Sequence, residues 1–332
     1  MALAKEAAKW TVKLSNGVVQ PLVGLGKLID SRHSRLNSLS YQARGSAGTK
    51  REIFDTLKAA LDVGYRYIDT AYAYGNEEAI GEFLESYFKD GKLKREDVFI
   101  ATKLPFMSHK PEDAEETIKK QLAALRTDYI DLYLVHNACS VKKGPDGGFL
   151  KDKDGNNVFD TTPHRDTWKV LESFYKEKKL RAIGVSNFRA DQLQRLYDQA
   201  EIKPMNLQVE LHIFHRNRKL VDLVPQAGHL GHAGFGPGDY PDADCLGHPL
   251  VQELAKKYNK TPAQILLRHA IQQKISVIPK SSNPERIAAN FDIFDFEISD
   301  EDMKRFDEIK EDVRLFSFSF AKGHPEYPPF EE

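Results

Sequence analysis

The sequence predicts an α/β fold, a (β/α)8 TIM barrel, on three observations. Short apolar runs alternate with longer amphipathic segments along most of the 332 residues, the pattern of parallel strands joined by helices. The spacing, roughly one strand per 30 to 40 residues, suits a closed barrel. No dinucleotide-fold fingerprint follows a strand: Gly24-Leu25-Gly26 lacks the third glycine, and Gly234-Phe235-Gly236-Pro237-Gly238 places proline where a helix would begin.

An N-terminal β-hairpin comes first, with Thr11–Leu14 and Val18–Pro21 flanking an Asn16-Gly17 turn. Apolar runs then mark strands at Leu22–Leu25, Tyr67–Asp69, Val98–Thr102, Ile130–Val135, Ala182–Val185, Leu207–Val209 and Ser276–Ile278. Helical spacing joins them: Ile53, Leu57, Ala60 and Leu61 before Gly64, then Ile118, Leu122 and Leu125 before Thr127. A third helix, Thr261–Gln273, opens on a cap residue followed by proline at the first helical position. The strand count is one short of the eight that closure needs.

Composition narrows the function classes. Lys and Arg number 48 against 49 Asp and Glu, a net charge of −1, so the chain lacks the basic excess that binds nucleic acid or an anionic membrane. A 41% hydrophobic share supplies a core. Lys5, Glu6 and Lys9 stand where a secretion leader needs apolar residues, and no apolar run is long enough to span a bilayer. A cytoplasmic protein is expected. Two cysteines, Cys139 and Cys245, outline neither a disulfide framework nor a zinc site.

In a barrel, chemistry sits where the strands end. Asp69, Lys103, His136, Ser186, Asn187, Gln208 and Lys280 all fall at or just beyond such ends, and Tyr74 follows Asp69 by a short loop. Any one of these is more often a cap or a surface charge. The set has a sharper use, because carbonyl reduction needs a proton donor, a group that tunes it and a group that holds the carbonyl.

The string Gly64-Tyr65-Arg66-Tyr67-Ile68-Asp69-Thr70-Ala71-Tyr72-Ala73-Tyr74-Gly75-Asn76-Glu77 resembles the signature of the aldo-keto reductase superfamily. So do Gly184-Val185-Ser186-Asn187-Phe188, Ile278-Pro279-Lys280-Ser281 and the tail His324-Pro325-Glu326-Tyr327-Pro328. The resemblance covers Val12 to Phe296 and implies one barrel domain over residues 1–332, with a substrate loop at 137–165 and a C-terminal tail at 311–332.

It also implies the site. Asp69, Tyr74, Lys103 and His136 form a catalytic tetrad: Lys103 lowers the pKa of the Tyr74 phenol, Asp69 holds Lys103, and His136 orients the carbonyl oxygen. Ser186, Asn187 and Gln208 hold a nicotinamide carboxamide, while Lys280, Ser281, Asn283, Arg286 and Asn290 hold the adenosine end. Two cations there suit a 2′-phosphate, hence NADPH/NADP+. Ala289 stands where many relatives carry a carboxylate near the adenine. The implied substrate is a small-molecule aldehyde or ketone, open-chain sugars included, met by a monomer against an apolar wall drawn from Phe106, Trp168, Phe316 and Phe318.

Three segments depart from the family. Residues 27–50 form a polar insertion after Gly26 and displace an expected aromatic; Asn137-Ala138-Cys139 replaces an aromatic and proline after His136. Residues 224–249 show no strand pattern where a seventh strand ending in a ring-stacking aromatic is expected, so that strand reads as missing or disrupted. Read one base along, a permitted choice of synonymous codons for Val224–His232 can encode Cys-Arg-Lys-Arg-Gly-Ile-Ser-Val-Thr, which resembles the absent strand, as a local reading-frame error or alternative exon would leave it. His229, His232 and His248 lie on too glycine-rich a frame to preorganise a metal, and none is expected. The damaged strand also supports a rival reading, a non-catalytic nucleotide-binding relative acting as a sensor, subunit or structural protein.

Overall fold

The computed structural model describes residues 2–26, 47–145, 148–223, 228–231 and 244–328. The chain opens with helix α1 (Ala2–Ala7) and a hairpin of β1 (Thr11–Lys13) and β2 (Val19–Pro21), then runs through β3 (Leu25–Gly26), α2 (Ala47–Val63), β4 (Tyr67–Asp69) and α3 (Glu77–Lys89). Next come β5 (Phe99–Leu104), α4 (Pro111–Ala124), β6 (Leu132–Val135), a ribbon of β7 (Ser140–Val141) and β8 (Phe159–Asp160), and α5 (His164–Lys176). The remaining units are β9 (Ile183–Ser186), α6 (Ala190–Gln199), β10 (Asn206–Val209), α7 (Arg218–Leu223), β11 (Gly228–Gly231), α8 (Pro249–Tyr258), α9 (Pro262–Gln272), β12 (Ser276–Val277), α10 (Pro284–Phe291) and α11 (Asp300–Arg305).

Strands β3, β4, β5, β6, β9, β10, β11 and β12 bond in that order into an eight-stranded sheet, with every pair parallel. Its two ends then meet. Val23 bridges Val277 in parallel, and Val277 N donates to Leu22 O at 2.7 Å while Gly24 N donates to Val277 O at 2.8 Å. These bonds close the sheet on itself. Residues along β4, β5, β6, β9 and β10 are buried throughout. Burial on both faces is why these strands read as continuous apolar runs rather than alternating ones.

The Gly24-Leu25-Gly26 string serves this seam. A Cβ on Gly26 would lie 2.4 Å from Ile278 O, and one on Gly24 would lie 2.5 Å from the Tyr67 ring. Gly26→Ala is therefore expected to spread the first and last strands and to cost about 1–3 kcal/mol, read as a lower urea midpoint; an unchanged midpoint would show that the seam tolerates a side chain.

Segment 224–249 requires a correction. A strand was not expected there, yet Gly228–Gly231 pairs with Asn206–Val209 on one side, and Leu230 and Gly231 pair with Ser276 and Val277 on the other. Ladder bonds use backbone groups only, and the open N–H and C=O groups of β10 and β12 give any four residues in this gap a strand's partners. Residues 224–227 and 232–243, which include most of the segment read for a shifted frame, lie outside the described residues.

Two boundaries also shift. Ala47–Lys50 open α2 instead of closing the insertion, whose residues 27–46 lie outside the described residues. His164 and Arg165 begin α5 instead of ending the substrate loop, and that loop contains the β7–β8 ribbon, unpredicted because each strand spans two residues. Thr261 caps α9 as expected, its Oγ1 accepting from Gln264 N while its own N–H donates to the Gln264 side chain. Among the described residues no helix is long and apolar enough to cross a membrane.

Candidate active site

Because the sheet is parallel and closed, the carboxyl ends of its strands share one rim. Asp69 is the last residue of β4, Ser186 the last of β9, and Lys103 and Gln208 the penultimate residues of β5 and β10. His136 and Asn187 each follow a strand by one residue. A strand's side chains alternate between faces, so fixing β5 in register with β4 and β6 commits Lys103 to the barrel interior.

At the centre is a buried ion pair. Lys103 Nζ lies 2.6 Å from Asp69 Oδ1, with both side chains at most 1% exposed, and also donates to Thr70 O at 2.8 Å. Burial pushes the lysine below its ordinary pKa; the Asp69 charge and hydrogen bond, and the Glu77 charge, oppose that shift. Gln208 Nε2 donates to the other Asp69 oxygen at 2.9 Å. The sequence reading assigned Gln208 to a carboxamide and did not foresee this bond, which spans 139 positions.

Tyr74 ends a short 3-10 turn, Tyr72–Tyr74, whose left-handed Gly75 leads directly into α3. Its ring is half-buried and faces Lys103, with Nζ 5.3 Å from the centroid, and meets His136 edge-on at 6.1 Å. Burial, then the Asp69 carboxylate, push the Tyr74 phenol above its ordinary pKa. The hydroxyl thus remains protonated, as a proton donor requires. Lys103 Nζ, for its part, spends its hydrogen bonds on Asp69 Oδ1 and Thr70 O.

His136 is set by its surroundings. Phe106 stacks on it at 4.9 Å, and Asn187 Nδ2, whose residue takes a left-handed φ of 54°, donates to His136 O at 2.8 Å and to Ser186 Oγ at 3.0 Å. Asn187 N donates to Gln208 O at 3.0 Å. The structure therefore brings Ser186, Asn187, Gln208, Asp69, Lys103, Tyr74 and His136 to one mouth.

Lys280, Ser281, Asn283 and Arg286 gather where β12 leads into α10. Asn283 caps that helix, its side chain accepting from Arg286 N at 2.8 Å, and Ser281 Oγ accepts from Asn283 N at 3.1 Å and from Arg286 Nε at 3.4 Å. Lys280 and Arg286 are exposed, Ser281 is buried, and Asn283 and Asn290 are half-buried. Two exposed cations beside a capped helix N-terminus form a donor set that fits a phosphate. At the mouth, the hydroxyl of Ser186 and the amides of Asn187 and Gln208 offer both donors and acceptors to a carboxamide. Strand β11, Gly-His-Leu-Gly in sequence, contributes no Tyr, Phe or Trp to stack on a ring.

The apolar wall differs from the expectation. Trp168 is 1% exposed and its indole bonds Ile202 O at 2.8 Å, so it is core. Phe106 instead packs with two rings the sequence did not single out, Phe320 at 5.0 Å and Phe149 at 6.5 Å; Phe318 reaches this group through Phe320 at 6.3 Å. The tail is tied down by polar bonds: His324 Nε2 to Asp160 O at 2.8 Å, and Glu326 to Arg195 at 2.6 Å. Glu210 accepts from the backbone N–H groups of Leu315 and Phe316 at 2.6 and 3.0 Å.

Sequence reasoning also passed over Glu77, the last residue of the quoted signature. It is 7% exposed, accepts from Thr102 Oγ1 at 2.5 Å and Gln121 Nε2 at 2.7 Å, and burial raises its pKa to about 7 against those bonds. Its place in the signature was the available signal. Both cysteines are free and buried, and among the described residues no cluster could hold a metal ion.

Comparison with known proteins supplies the context. The Aldo/keto reductase family profile matches residues 39–232 and 245–311. The chain is 36% identical to the pig (Sus scrofa) protein "Aldo-keto reductase family 1 member A1", over 96% of this chain and 97% of that one. It is 35% identical to mouse (Mus musculus) "Aldo-keto reductase family 1 member D1", over 98% of each. The solved aldose reductase of Schistosoma japonicum superposes with a TM-score of 0.84 at 37% identity, covering 96% of this chain and 98% of that one.

Proposed function

Since the chain belongs to the aldo/keto reductase family, within which carbonyl reduction is the general activity, we propose that it reduces aldehydes and ketones, open-chain sugars among them, to alcohols with NADPH. The observation that carries this reading is the buried Asp69–Lys103 pair facing the Tyr74 ring beside His136. When bound, NADPH supplies the hydride, which no side chain can.

The chain's own groups do the rest. His136 holds the carbonyl oxygen by a hydrogen bond and places it against Tyr74, whose hydroxyl gives up its proton to that oxygen. Burial makes the resulting phenolate costly; the Lys103 ammonium offsets that cost as charge develops on the ring oxygen, and Asp69 keeps the ammonium in place. Ser186, Asn187 and Gln208 orient the carboxamide of the cofactor, and Lys280, Ser281, Asn283, Arg286 and Asn290 hold its adenosine end and 2′-phosphate. Phe106, Phe149 and Phe320 exclude water from the reacting carbonyl. The same reading makes residues 1–332 one barrel domain and the protein a cytoplasmic monomer.

Consumption of NADPH with a generic aromatic aldehyde, followed at the cofactor's absorbance, tests the activity; no turnover with aldehydes or ketones overturns it. Cofactor choice is tested separately. A charged contact contributes about 1.5–3 kcal/mol, so Lys280→Met or Arg286→Met is expected to raise the Kd for NADPH roughly ten- to hundredfold and leave that for NADH nearly unchanged. Intrinsic fluorescence titration reads both, and equal losses for the two cofactors would remove the 2′-phosphate from this site.

A further inference from the structure

Glu77 lies outside the four groups assigned to the chemistry, yet its carboxylate sits immediately behind them. Thr102 and Lys103 are neighbours on β5 with side chains on opposite faces: Lys103 meets Asp69, whereas Thr102 meets Glu77 at the start of α3 and Gln121 on α4. Gln121 Nε2 bonds Glu77 Oε1 at 2.7 Å and reaches the Lys103 carbonyl at 3.2 Å, while Tyr133 on β6 donates to Gln121 Oε1 at 2.6 Å. Glu77 is thus held by β5 and α4, and β6 in turn secures Gln121.

The same network brackets Tyr74. The turn that carries it begins at Thr70, whose carbonyl accepts from Lys103 at 2.8 Å and whose hydroxyl bonds the Asn76 side chain at 2.6 Å. It ends at Glu77, joined to Thr102. Both ends of the turn are therefore anchored to consecutive residues of one strand.

We propose that Glu77 is a positioning residue for the Lys103–Tyr74 pair: it pins the Tyr74 turn to the strand bearing Lys103 and places a second negative charge, beside that of Asp69, that keeps the lysine protonated. This rests on the tetrad reading above.

The titratable groups around the pair are few. Lys103 faces Asp69 on β4, Tyr74 on its turn and Glu77 on α3; Tyr74 also faces His136 beyond β6; Glu77 faces Lys103 and Tyr133; Asp69 also faces Tyr67. Thr102, Gln121 and Gln208 complete the surroundings without charge. With its pKa raised to about 7, Glu77 is neutral in acid and charged in alkali, so its hold on the Lys103 proton grows as pH rises through that value. In alkaline solution, where Lys103 would otherwise lose its proton, the Glu77 charge delays that loss.

The test is the pH profile of kcat with saturating NADPH. Glu77→Gln preserves size and removes the charge, so the alkaline limb is expected to move down by about 0.5–1 pH unit. Glu77→Asp restores the limb while leaving the rate below the parent's. A role in packing alone would lower the rate by one factor at every pH. A second measurement needs no Glu77 variant to fold. Because burial raises the Glu77 pKa to about 7, its protonated carboxyl stretch can be followed by infrared titration through neutral pH. Reciprocity of the coupling requires its midpoint to rise in Lys103→Met. The inference is overturned by an unmoved limb in Glu77→Gln or an unmoved carboxyl midpoint in Lys103→Met. If Tyr74→Phe instead keeps the parent's rate, the tetrad reading itself falls and the inference with it.

Discussion

Replacing Tyr74 with Phe is expected to lower kcat for aldehyde reduction by about 10²–10⁴-fold, the contribution of a positioned general acid, while leaving NADPH affinity within a factor of about two. The substitution removes one oxygen and keeps the ring that meets His136 and lies 5.3 Å from Lys103 Nζ, so packing is preserved and the loss falls on proton transfer. Steady-state kinetics together with fluorescence titration separate the two quantities. Equal rates in the two proteins would end the assignment of Tyr74. A matching loss of cofactor affinity would point to damage at the mouth instead of a missing acid.

Asp69→Asn should have the largest effect on stability. Lys103 is fully buried, and its charge is offset by the Asp69 carboxylate at 2.6 Å. Removing one partner of a buried pair typically costs about 3–5 kcal/mol, because the other is left uncompensated. Lys103 then keeps its full desolvation penalty and loses its largest opposing cause, so it sheds its proton at a lower pH and no longer stabilises a phenolate on Tyr74. Gln208 also exchanges a carboxylate acceptor for a neutral one. Urea unfolding near neutral pH reads the stability change and NADPH oxidation the rate; a variant with the parent's midpoint would show that the pair is structurally dispensable. The double variant Asp69→Asn with Lys103→Met should recover part of the lost stability but none of the activity, since the orphaned charge is gone and the phenolate's partner with it.

Much of the fold was legible because parallel strands buried on both faces leave continuous apolar runs. Tyr67–Asp69, Leu132–Val135 and Ile183–Ser186 match their runs to within two residues for that reason. The Thr261-Pro262 cap likewise announced α9. Strand β11 was not legible. Its place is dictated by the backbone groups of β10 and β12, and a run of glycine and histidine leaves no side-chain period to read. The Gly24-Leu25-Gly26 string could be seen but not interpreted, since its purpose, passage of the first strand against Ile278 and Tyr67, involves residues far along the chain.

The site divides in the same way. By itself the sequence determined which groups reach the carboxyl rim, because strand ends carry Asp69, Lys103, His136, Ser186 and Gln208 whatever the loops do. Tertiary structure alone decided how these groups spend their bonds. Gln208 is joined to Asp69, Trp168 is withdrawn into the core, Phe149 and Phe320 close over Phe106, and Glu77 stands behind Lys103 through Thr102 and Gln121. The physical reason is that strand position follows from local hydrophobic pattern, whereas the charge on Lys103 and the acidity of Tyr74 depend on burial and on partners that only closure of the barrel brings within a few ångströms.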